Sequence, residues 1–244
     1  MILHGEPVAE AVRKLKAITP QEKRTLTVIC DQDVKEQAQY LRSIRKEAEK
    51  WGVEIRTAKH LDLCDEDVKW MIDLTEYPVV PGDAISVDGQ SPESAWLIYS
   101  GSVTPESPCT PEAILWTLRY HGIPLEGKKV VVLGRGEKVG KPFALLALRE
   151  NATVAICHSH TSPAYRNTLT QAADIIVCAT GSPKLLKRYD VHWGATVVNV
   201  GGDYDETTGD EGINLIPYKG GIGAVTPVVL MAHVVSAEEP PELF

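Results

Sequence analysis

The sequence predicts an α/β protein with two lobes. Two patterns support this fold class: strand-like and helix-like segments alternate along the chain, and the strand-like segments of the second half are short, uninterrupted apolar runs. Such runs are typical of parallel sheets that are covered on both faces. The chain has 244 residues, 43% of them hydrophobic, which is enough to bury one large core or two modest ones. We expect a small amino-terminal α/β lobe at 1–110 and a Rossmann-like lobe with a parallel sheet at 111–225.

The first lobe begins with a strand-helix-strand pattern. Residues 25–31 (TLTVICD) are β-branched and apolar, and the following residues up to Gly52 have apolar positions at three- and four-residue steps. This spacing predicts a strand followed by an amphipathic helix. A second strand is expected over 53–61 (VEIRTAKHL) and a short helix over 65–74 (DEDVKWMIDL). Residues 75–108 are rich in Pro, Gly and Ser, so they are expected to form a connecting segment and site loops.

The second lobe has a clearer period. Helical spacing resumes at Pro111, a residue suited to the first turn of a helix. Four predicted strands follow with helix-sized spacers between them: KKVVVL, ATVAIC, DIIVCAT and ATVVNVG.

Composition and charge argue against several partners. The net charge is −8 and the pI is about 5.4, with Lys and Arg scattered among acids, so no nucleic-acid partner is expected. The apolar runs are far shorter than the ~20 residues of a membrane span, and the first residues show no signal-like pattern. We therefore expect a cytoplasmic protein without a membrane anchor. The five cysteines are widely spaced and are expected to be buried free thiols.

Three glycines mark the junction between the first predicted strand of the second lobe and the helix after it. Gly134, Gly136 and Gly140 follow KKVVVL and precede a helix-like pattern. In this context backbone amides and a helix N-terminus can receive a phosphate, and glycine admits its close approach. The spacing G-x-G-x-x-x-G is one residue longer than the common dinucleotide fingerprint, so a tight turn without a ligand is the alternative.

The end of the next predicted strand favours a phosphorylated cofactor. An NAD enzyme often places an acid there, on the ribose 2′-hydroxyl, but residues 157–161 read CHSHT. Arg135, inside the glycine loop, would favour a 2′-phosphate, so NADP is the expected cofactor. His158 and His160 are separated by one residue, and no nearby spacing offers a third ligand, so no metal is expected.

Three segments resemble the bifunctional methylenetetrahydrofolate dehydrogenase/cyclohydrolase family. They are residues 108–161, which contain PCTP, GRGEKVGKP and CHSHT, residues 173–201, and GGIGAVT at 220–226. The resemblance implies that Arg135 and Ser159 hold a 2′-phosphate and that a serine of the family is replaced by Gly136. The cofactor-binding residues implied in this way are Gly134, Arg135, Gly136, Val139, Gly140, Pro142, His158, Ser159, Thr161, Gly181, Gly201, Gly221 and Thr226, of which Val139, Gly140 and Pro142 would line the pyrophosphate turn.

The amino-terminal half resembles the same family more weakly, through GEPVAEAVR, YLRSIRKEAEKWGV and SVDG. Tyr40 matches the family tyrosine, whereas Ile44 stands where the family has a lysine one helical turn later. In that family the lysine supports hydrolysis of the methenyl cation, and isoleucine cannot transfer a proton. Cyclohydrolase activity is therefore expected to be weak or absent. Asp88 matches the aspartate that contacts the pterin, with a simple Asp-Gly turn as the alternative.

Two further differences concern the folate side. The family has a strand ending Q-L-P-L-P, whose glutamine assists the lysine. Between residues 74 and 88 nothing matches this glutamine, and the strand and its following helix are expected to be shortened or lost. Lys219 stands where the family has proline, just before two glycines. A desolvated lysine there could replace the lost amine; a solvated loop lysine is the alternative.

The resemblance implies an oxidoreductase. Hydride transfer from a methylene carbon requires no proton transfer, so an NADP-dependent methylenetetrahydrofolate dehydrogenase is expected, with Tyr40, Asp88 and Lys219 as candidate catalytic residues. The alternative is a catalytically impaired homologue that binds nucleotide and pterin. The resemblance also implies a folate substrate, a homodimer formed through the cofactor lobe, and a carboxyl-terminal segment at 226–244 whose helix, around 227–237, returns to the first lobe.

Overall fold

The structure is a computed structural model that describes residues 1–14, 24–59, 68–75, 84–100 and 107–235. Its contacts divide the chain into two compact units. The four-stranded unit groups Ala11–Cys109 with Pro227–Leu243, and the five-stranded unit groups Met1–Glu10 with Thr110–Thr226. The amino-terminal ten residues thus belong with the second half of the chain. The functional division into a folate lobe at 1–110, a cofactor lobe at 111–225 and a tail at 226–244 stays a prediction.

The four-stranded unit contains a parallel sheet of order β2-β1-β3-β4. Its elements, together with helix α1 that leads into it, are α1 (Glu6–Arg13), β1 (Arg24–Ile29), α2 (Lys35–Trp51), β2 (Val53–Ala58), β3 (Trp70–Asp73), β4 (Ile85–Ser86) and α3 (Pro92–Ser100). The predicted first strand and helix are confirmed. Helix α2 ends as expected at Gly52, whose left-handed φ of 70° places its N–H on the carbonyl oxygen of Ala48, a geometry that glycine adopts at little cost.

The short helix predicted over 65–74 is wrong for the part that the structure describes. Trp70–Asp73 form strand β3, which lies between β1 and β4, and all four residues are buried. A strand covered on both faces needs a continuous apolar run and shows no alternation, which is why the three residues Trp-Met-Ile were misassigned to a helix. Residues 65–67 of this prediction lie outside the described part of the chain.

The segment 75–108 is more regular than the predicted connecting segment. It contains β4 and α3, although 76–83 and 101–106 lie outside the described residues. Of the span 74–88, in which the family strand and its following helix were expected to be shortened or lost, the structure describes 74–75 and 84–88, including β4. Strand β3, just before this span, ends in Asp73. The side chain of Gln90 ties this strand end to the loop after β4, because its amide donates to the Asp73 carbonyl oxygen at 2.7 Å and accepts the Asp73 N–H at 2.9 Å.

A buried acid joins α1 and α2. Glu47 is 5% exposed and accepts two hydrogen bonds from Arg13, at 2.7 and 3.0 Å, one from Lys50 and one from the indole N–H of Trp51. Burial alone would raise the pKa of Glu47, but these donors more than offset it and hold the pKa below its usual value. The network explains how a charged side chain is tolerated in the core.

The five-stranded unit contains a parallel sheet of order β6-β5-β7-β8-β9. Its elements, with helices α4 and α7 at its ends, are α4 (Cys109–Tyr120), β5 (Lys129–Leu133), α5 (Gly140–Arg149), β6 (Thr153–Cys157), α6 (Pro163–Ala172), β7 (Ile175–Cys178), β8 (Thr196–Asn199), β9 (Asn214–Ile216) and α7 (Ile222–Val235). The four strands predicted from apolar runs are confirmed, as is the helix expected after Pro111. Strand β9, of three residues, was not predicted.

The amino-terminal residues extend this sheet beyond β9. Ile2 forms a parallel bridge with Leu215, Leu3 N–H donates to the Leu215 carbonyl oxygen at 2.7 Å, and Leu215 N–H donates to the Met1 carbonyl oxygen at 2.8 Å. These backbone bonds explain why the start of the chain groups with its second half. They also cover the outer edge of β9.

The carboxyl-terminal helix returns to the four-stranded unit, as expected. From Pro227 onward α7 groups with that unit, and nearly all of its side chains are buried. The helix begins at Ile222, five residues before the predicted start, and residues 236–244 lie outside the described part. No helix among the described residues is long and apolar enough to cross a bilayer.

The described cysteines are buried free thiols, as predicted; Cys64 lies outside the described residues. Burial raises the pKa of Cys30, Cys157 and Cys178. These thiols therefore remain protonated and unreactive at neutral pH.

Candidate functional site

The loop between β5 and α5, residues 134–140, is shaped by two glycines that admit no side chain. Gly134 has a φ of +114°, and a Cβ on it would lie 2.4 Å from the carbonyl oxygen of Ala179. A Cβ on Gly140 would lie 2.3 Å from the carbonyl oxygen of Gly134. Both contacts are with backbone atoms that cannot easily move, so the glycine loop folds tightly against the end of β7. Gly136, in contrast, has nothing within 4 Å of a built Cβ.

The helix that follows presents uncapped amides. Val139 occupies the N-cap of α5, no side chain caps this end, and the first turn carries no acid. Pro142 is buried in that turn, while Arg135 and Gly136 are exposed. The first N–H groups of a helix carry partial positive charge and need acceptors. The glycine loop therefore offers a phosphate-sized anion both backbone donors and the Arg135 guanidinium.

A compact turn at residues 158–161, the histidine turn, follows β6. The Thr161 hydroxyl accepts the His158 N–H at 3.0 Å, and the His158 Nδ1 accepts the His160 N–H at 3.2 Å. Desolvation, the Arg135 guanidinium and His160 lower the pKa of His158. Arg135 therefore lies within electrostatic range of the histidine turn. Ser159 is exposed on the same turn.

Glycines also line the ends of β7 and β8. A Cβ on Gly201 would lie 2.8 Å from the N atom of Gly181, so the two strand ends touch through their backbones. Asp203, fully buried, accepts the N–H groups of Thr180 at 2.7 Å and Ser182 at 3.0 Å. This carboxylate fixes the loop after β7 against the loop after β8.

The remaining predicted cofactor residues lie around the start of α7. A Cβ on Gly221 would lie 2.1 Å from the Pro217 carbonyl oxygen, so only glycine fits there. Thr226 is 6% exposed and its hydroxyl donates to the Ile222 carbonyl oxygen at 3.1 Å. Lys219 is exposed, which matches a solvated loop lysine.

The folate-side candidates belong to the four-stranded unit. The Cys109 N–H, at the start of α4, donates to Asp88 Oδ1 at 2.8 Å, so Asp88 caps this helix. His233 Nδ1 donates to the Val87 carbonyl oxygen at 2.9 Å and lies 3.5 Å from the Cys109 thiol. Burial, followed by Asp88 and Cys109, raises the pKa of Tyr40 well above its usual value of 10.0. Tyr40 and Asp88 are thus close enough to interact electrostatically.

Ile44 does not resemble a site residue. It is fully buried, one helical turn after the half-buried Tyr40. An ammonium at this position would be desolvated.

Sequence reasoning missed three residues in and beside the loops that follow the strands. They are His160, whose amide selects the His158 tautomer, Asp203, and Tyr218, whose ring lies beside Gly202. Among the described residues no group of three or more His, Cys, Asp or Glu could hold a metal ion.

Comparison with known proteins identifies the family. Residues 108–241, more than half of the chain, match the family model described as "Tetrahydrofolate dehydrogenase/cyclohydrolase, NAD(P)-binding domain". The chain belongs to this family. The bifunctional protein FolD of Carboxydothermus hydrogenoformans is 42% identical over 166 residues, which are 63% of this chain and 57% of that protein. The chain thus spans little more than half the length of that relative. FolD of Clostridium botulinum (strain Okra) is 30% identical over 98% of both chains.

Solved structures of the tetrahydrofolate dehydrogenase/cyclohydrolase family share this fold. The Trypanosoma brucei methylenetetrahydrofolate dehydrogenase-cyclohydrolase, solved with NADP and an inhibitor, superposes with a TM-score of 0.86 at 25% identity, covering 97% of this chain and 96% of that one. The expected family and α/β fold class are confirmed. Because the matched region is the family's NAD(P)-binding domain, the expected nicotinamide cofactor, NADP, is also supported.

Proposed function

We propose that the protein oxidises 5,10-methylenetetrahydrofolate to 5,10-methenyltetrahydrofolate with NADP, and that its cyclohydrolase activity is weak or absent. The observation that carries the proposal is the glycine loop, where a side chain at Gly134 or Gly140 would collide with backbone. Such a loop, in front of an uncapped helix, is suited to a diphosphate. The cofactor, when bound, supplies the hydride acceptor.

The protein's own groups would bind and orient the dinucleotide. Arg135, Ser159 and Thr161 would surround a 2′-phosphate, and the neutral imidazole of His158 would donate from Nε2 because its Nδ1 already accepts the His160 N–H. Val139, Gly140 and Pro142 would border the pyrophosphate. A 2′-phosphate beside a guanidinium forms strong charge-assisted hydrogen bonds, which favours NADP over NAD.

Tyr40 and Asp88 would contact the folate. Because the pKa of Tyr40 is raised, its phenol stays protonated at neutral pH and can donate a hydrogen bond but cannot act as a base. The Asp88 carboxylate accepts hydrogen bonds, which suits the N–H groups of a pterin edge. These groups can orient a substrate for hydride transfer, which requires positioning more than proton transfer.

Hydrolysis of the methenyl cation has different requirements. Water must lose protons in that step, and positioned acid-base groups typically contribute about 10²- to 10⁴-fold. Ile44 has no titratable group, Tyr40 is held neutral and Lys219 is solvated. This combination supports a weak cyclohydrolase.

The second candidate function is a catalytically impaired homologue that binds nucleotide and pterin. Ile44 favours it, since this buried side chain stands where the family lysine is expected. The intact glycine loop favours the dehydrogenase, because binding of NADP is most simply explained if hydride is still transferred.

Two activity assays separate the candidates. We expect NADPH to accumulate, followed by its absorbance, when the protein is given NADP and methylenetetrahydrofolate, while methenyl hydrolysis stays near the uncatalysed rate. Lys219→Met should leave the hydrolysis rate unchanged; a loss would assign Lys219 the acid-base role. NADP binding without either activity would favour the impaired homologue.

Arg135→Ala tests the cofactor assignment directly. Loss of a charge-assisted contact of about 1.5–3 kcal/mol should weaken NADP binding by about 10- to 100-fold. Binding of NAD should change little, because NAD has no 2′-phosphate. Arg149→Ala is the matched control. It removes a cation from the last turn of α5, the helix that follows the glycine loop, and it should bind NADP normally. An equal loss of NAD and NADP binding in Arg135→Ala would contradict the assignment of the 2′-phosphate site.

The homodimer, the cytoplasmic location and the absence of a nucleic-acid partner stay predictions. One structural feature supports the dimer: β6 is an edge strand of the five-stranded sheet, with Ile156 40% exposed.

A further inference from the structure

Tyr218 presents an aromatic ring at the carboxyl edge of the five-stranded sheet. It lies two residues after β9, and 53% of its surface is exposed. The ring packs beside Gly202, three residues after β8: a Cβ on Gly202 would be 3.7 Å from two ring carbons. Gly202 has a φ of +77° and no side chain, so the Tyr218 ring can lie beside its backbone.

The backbone of Tyr218 is held by a buried strand end. Its N–H donates to Glu206 Oε1 at 2.6 Å, and the same oxygen accepts from Asn199 Nδ2 at 2.7 Å. Asn199, the last residue of β8, is 2% exposed and also accepts the Tyr204 N–H at 3.1 Å. The backbone of Tyr218 is therefore held by the end of the sheet, which limits where its ring can lie.

The position of Tyr218 relative to the glycine loop indicates which half of a dinucleotide it would meet. In the order β6-β5-β7-β8-β9, the glycine loop follows β5 and the histidine turn follows β6. A dinucleotide lies across such an edge, with its diphosphate at the glycine loop and its two nucleosides on opposite sides. If the 2′-phosphate is at the histidine turn, the nicotinamide is on the side of β7, β8 and β9. On that side Gly181 and Gly201 have no side chains that would block the nicotinamide, and the aromatic ring of Tyr218 could contact it.

We propose that Tyr218 is a positioning and specificity residue for the nicotinamide half of the cofactor, and that it favours the oxidised form. This inference rests on the proposed function. The oxidised nicotinamide ring is positively charged and the reduced ring is neutral, and the face of a tyrosine attracts a cation. A contact of the Tyr218 ring with the nicotinamide would therefore act mainly on the oxidised form. It would strengthen binding of NADP⁺ and leave binding of NADPH less affected.

Equilibrium binding of three ligands to Tyr218→Ala tests the proposal. Affinity for NADP⁺ should fall by about 3- to 30-fold, affinity for NADPH should fall less, and affinity for 2′,5′-ADP, which has no nicotinamide, should be unchanged. Tyr218→Phe keeps the ring and should retain NADP⁺ affinity. Tyr189→Ala is the matched control, because Tyr189 is 69% exposed in the same unit and lies outside the proposed site.

Each outcome decides between the proposals. Unchanged NADP⁺ affinity in Tyr218→Ala would overturn this inference alone. So would an equal loss of 2′,5′-ADP affinity, since a structural disturbance of the sheet edge would weaken every ligand. Failure of the unmodified protein to bind any of the three ligands would overturn the proposed function, and this inference with it.

Discussion

The imidazole of His158 has one nitrogen already engaged in the free protein. Because Nδ1 accepts the His160 N–H, the neutral ring must carry its proton on Nε2. Desolvation, Arg135 and His160 place the pKa of His158 below 6.5. The native state therefore takes up this proton less readily than the unfolded chain, and the contribution of His158 to stability declines as pH falls through 6.5 towards the folded pKa.

Binding of a 2′-phosphate should reverse this shift. An anion beside His158 stabilises the imidazolium and raises its pKa, so NADP binding should take up protons below neutral pH and strengthen as pH falls. NAD binding should not. Calorimetry at mildly acidic pH in two buffers of different ionisation enthalpy measures this uptake. It should vanish in His158→Gln and persist in His121→Gln. Proton uptake of equal size with NAD would show that His158 does not sense the 2′-phosphate.

Single residues set the limit of what the sequence could reveal here. Arg135 and His158 could be proposed from the sequence, because both follow strand ends where a cofactor is expected. His160 was considered only as half of a metal pair that lacks a third ligand, because its contact with His158 is made by its backbone amide. Nothing in the sequence singled out Tyr218. Its proposed role depends on its packing beside Gly202, which lies sixteen residues earlier in the chain. Contacts of this kind are fixed by tertiary structure.

At the level of elements, the glycine loop offers a matched pair of substitutions. Gly134→Ala forces a Cβ to within 2.4 Å of a backbone oxygen at a φ of +114°, which must displace the end of β7 or the loop itself. We expect NADP binding to become unmeasurable. We also expect the free energy of unfolding to fall by about 1–3 kcal/mol. Urea unfolding and calorimetry measure the two effects.

Gly136→Ser is the control in the same loop. A Cβ there meets nothing within 4 Å, and serine is the residue of the family motif. Stability should be unchanged and NADP binding equal or stronger, because the hydroxyl adds a donor. If Gly134→Ala bound NADP as well as Gly136→Ser, the loop would not be the phosphate site.

The two sheets differ in how far their elements could be predicted. The strands of the five-stranded unit are long enough to show as β-branched runs, except β9, whose three residues fall below any periodic signal. In the four-stranded unit, β3 was taken for a helix because a buried strand of four residues has no alternation to distinguish it. Helix α3 follows a stretch rich in turn residues, which led to the expectation of an irregular segment.

At the scale of the whole molecule, the chain treats the two edges of its five-stranded sheet differently. Residues 1–3 cover the outer edge of β9 through backbone hydrogen bonds. At the other edge, β6 pairs with β5 alone among the described residues, and Ile156 is 40% exposed. An unprotected edge with an apolar side chain is prone to pair with another chain. This asymmetry agrees with the homodimer expected from the family resemblance.

Ile156→Lys tests whether the exposed edge is the dimer contact. Lysine on an edge strand disfavours pairing because its charge must stay hydrated, so light scattering after size exclusion should show the unmodified protein as a dimer and the variant as a monomer. The variant should still bind NADP, since Ile156 lies in β6 and is not one of the proposed cofactor-binding residues. Tyr189→Lys, which places the same charge at another exposed position of this unit, should remain dimeric. A dimeric Ile156→Lys would move the interface to another surface, and a monomeric unmodified protein would remove the dimer altogether.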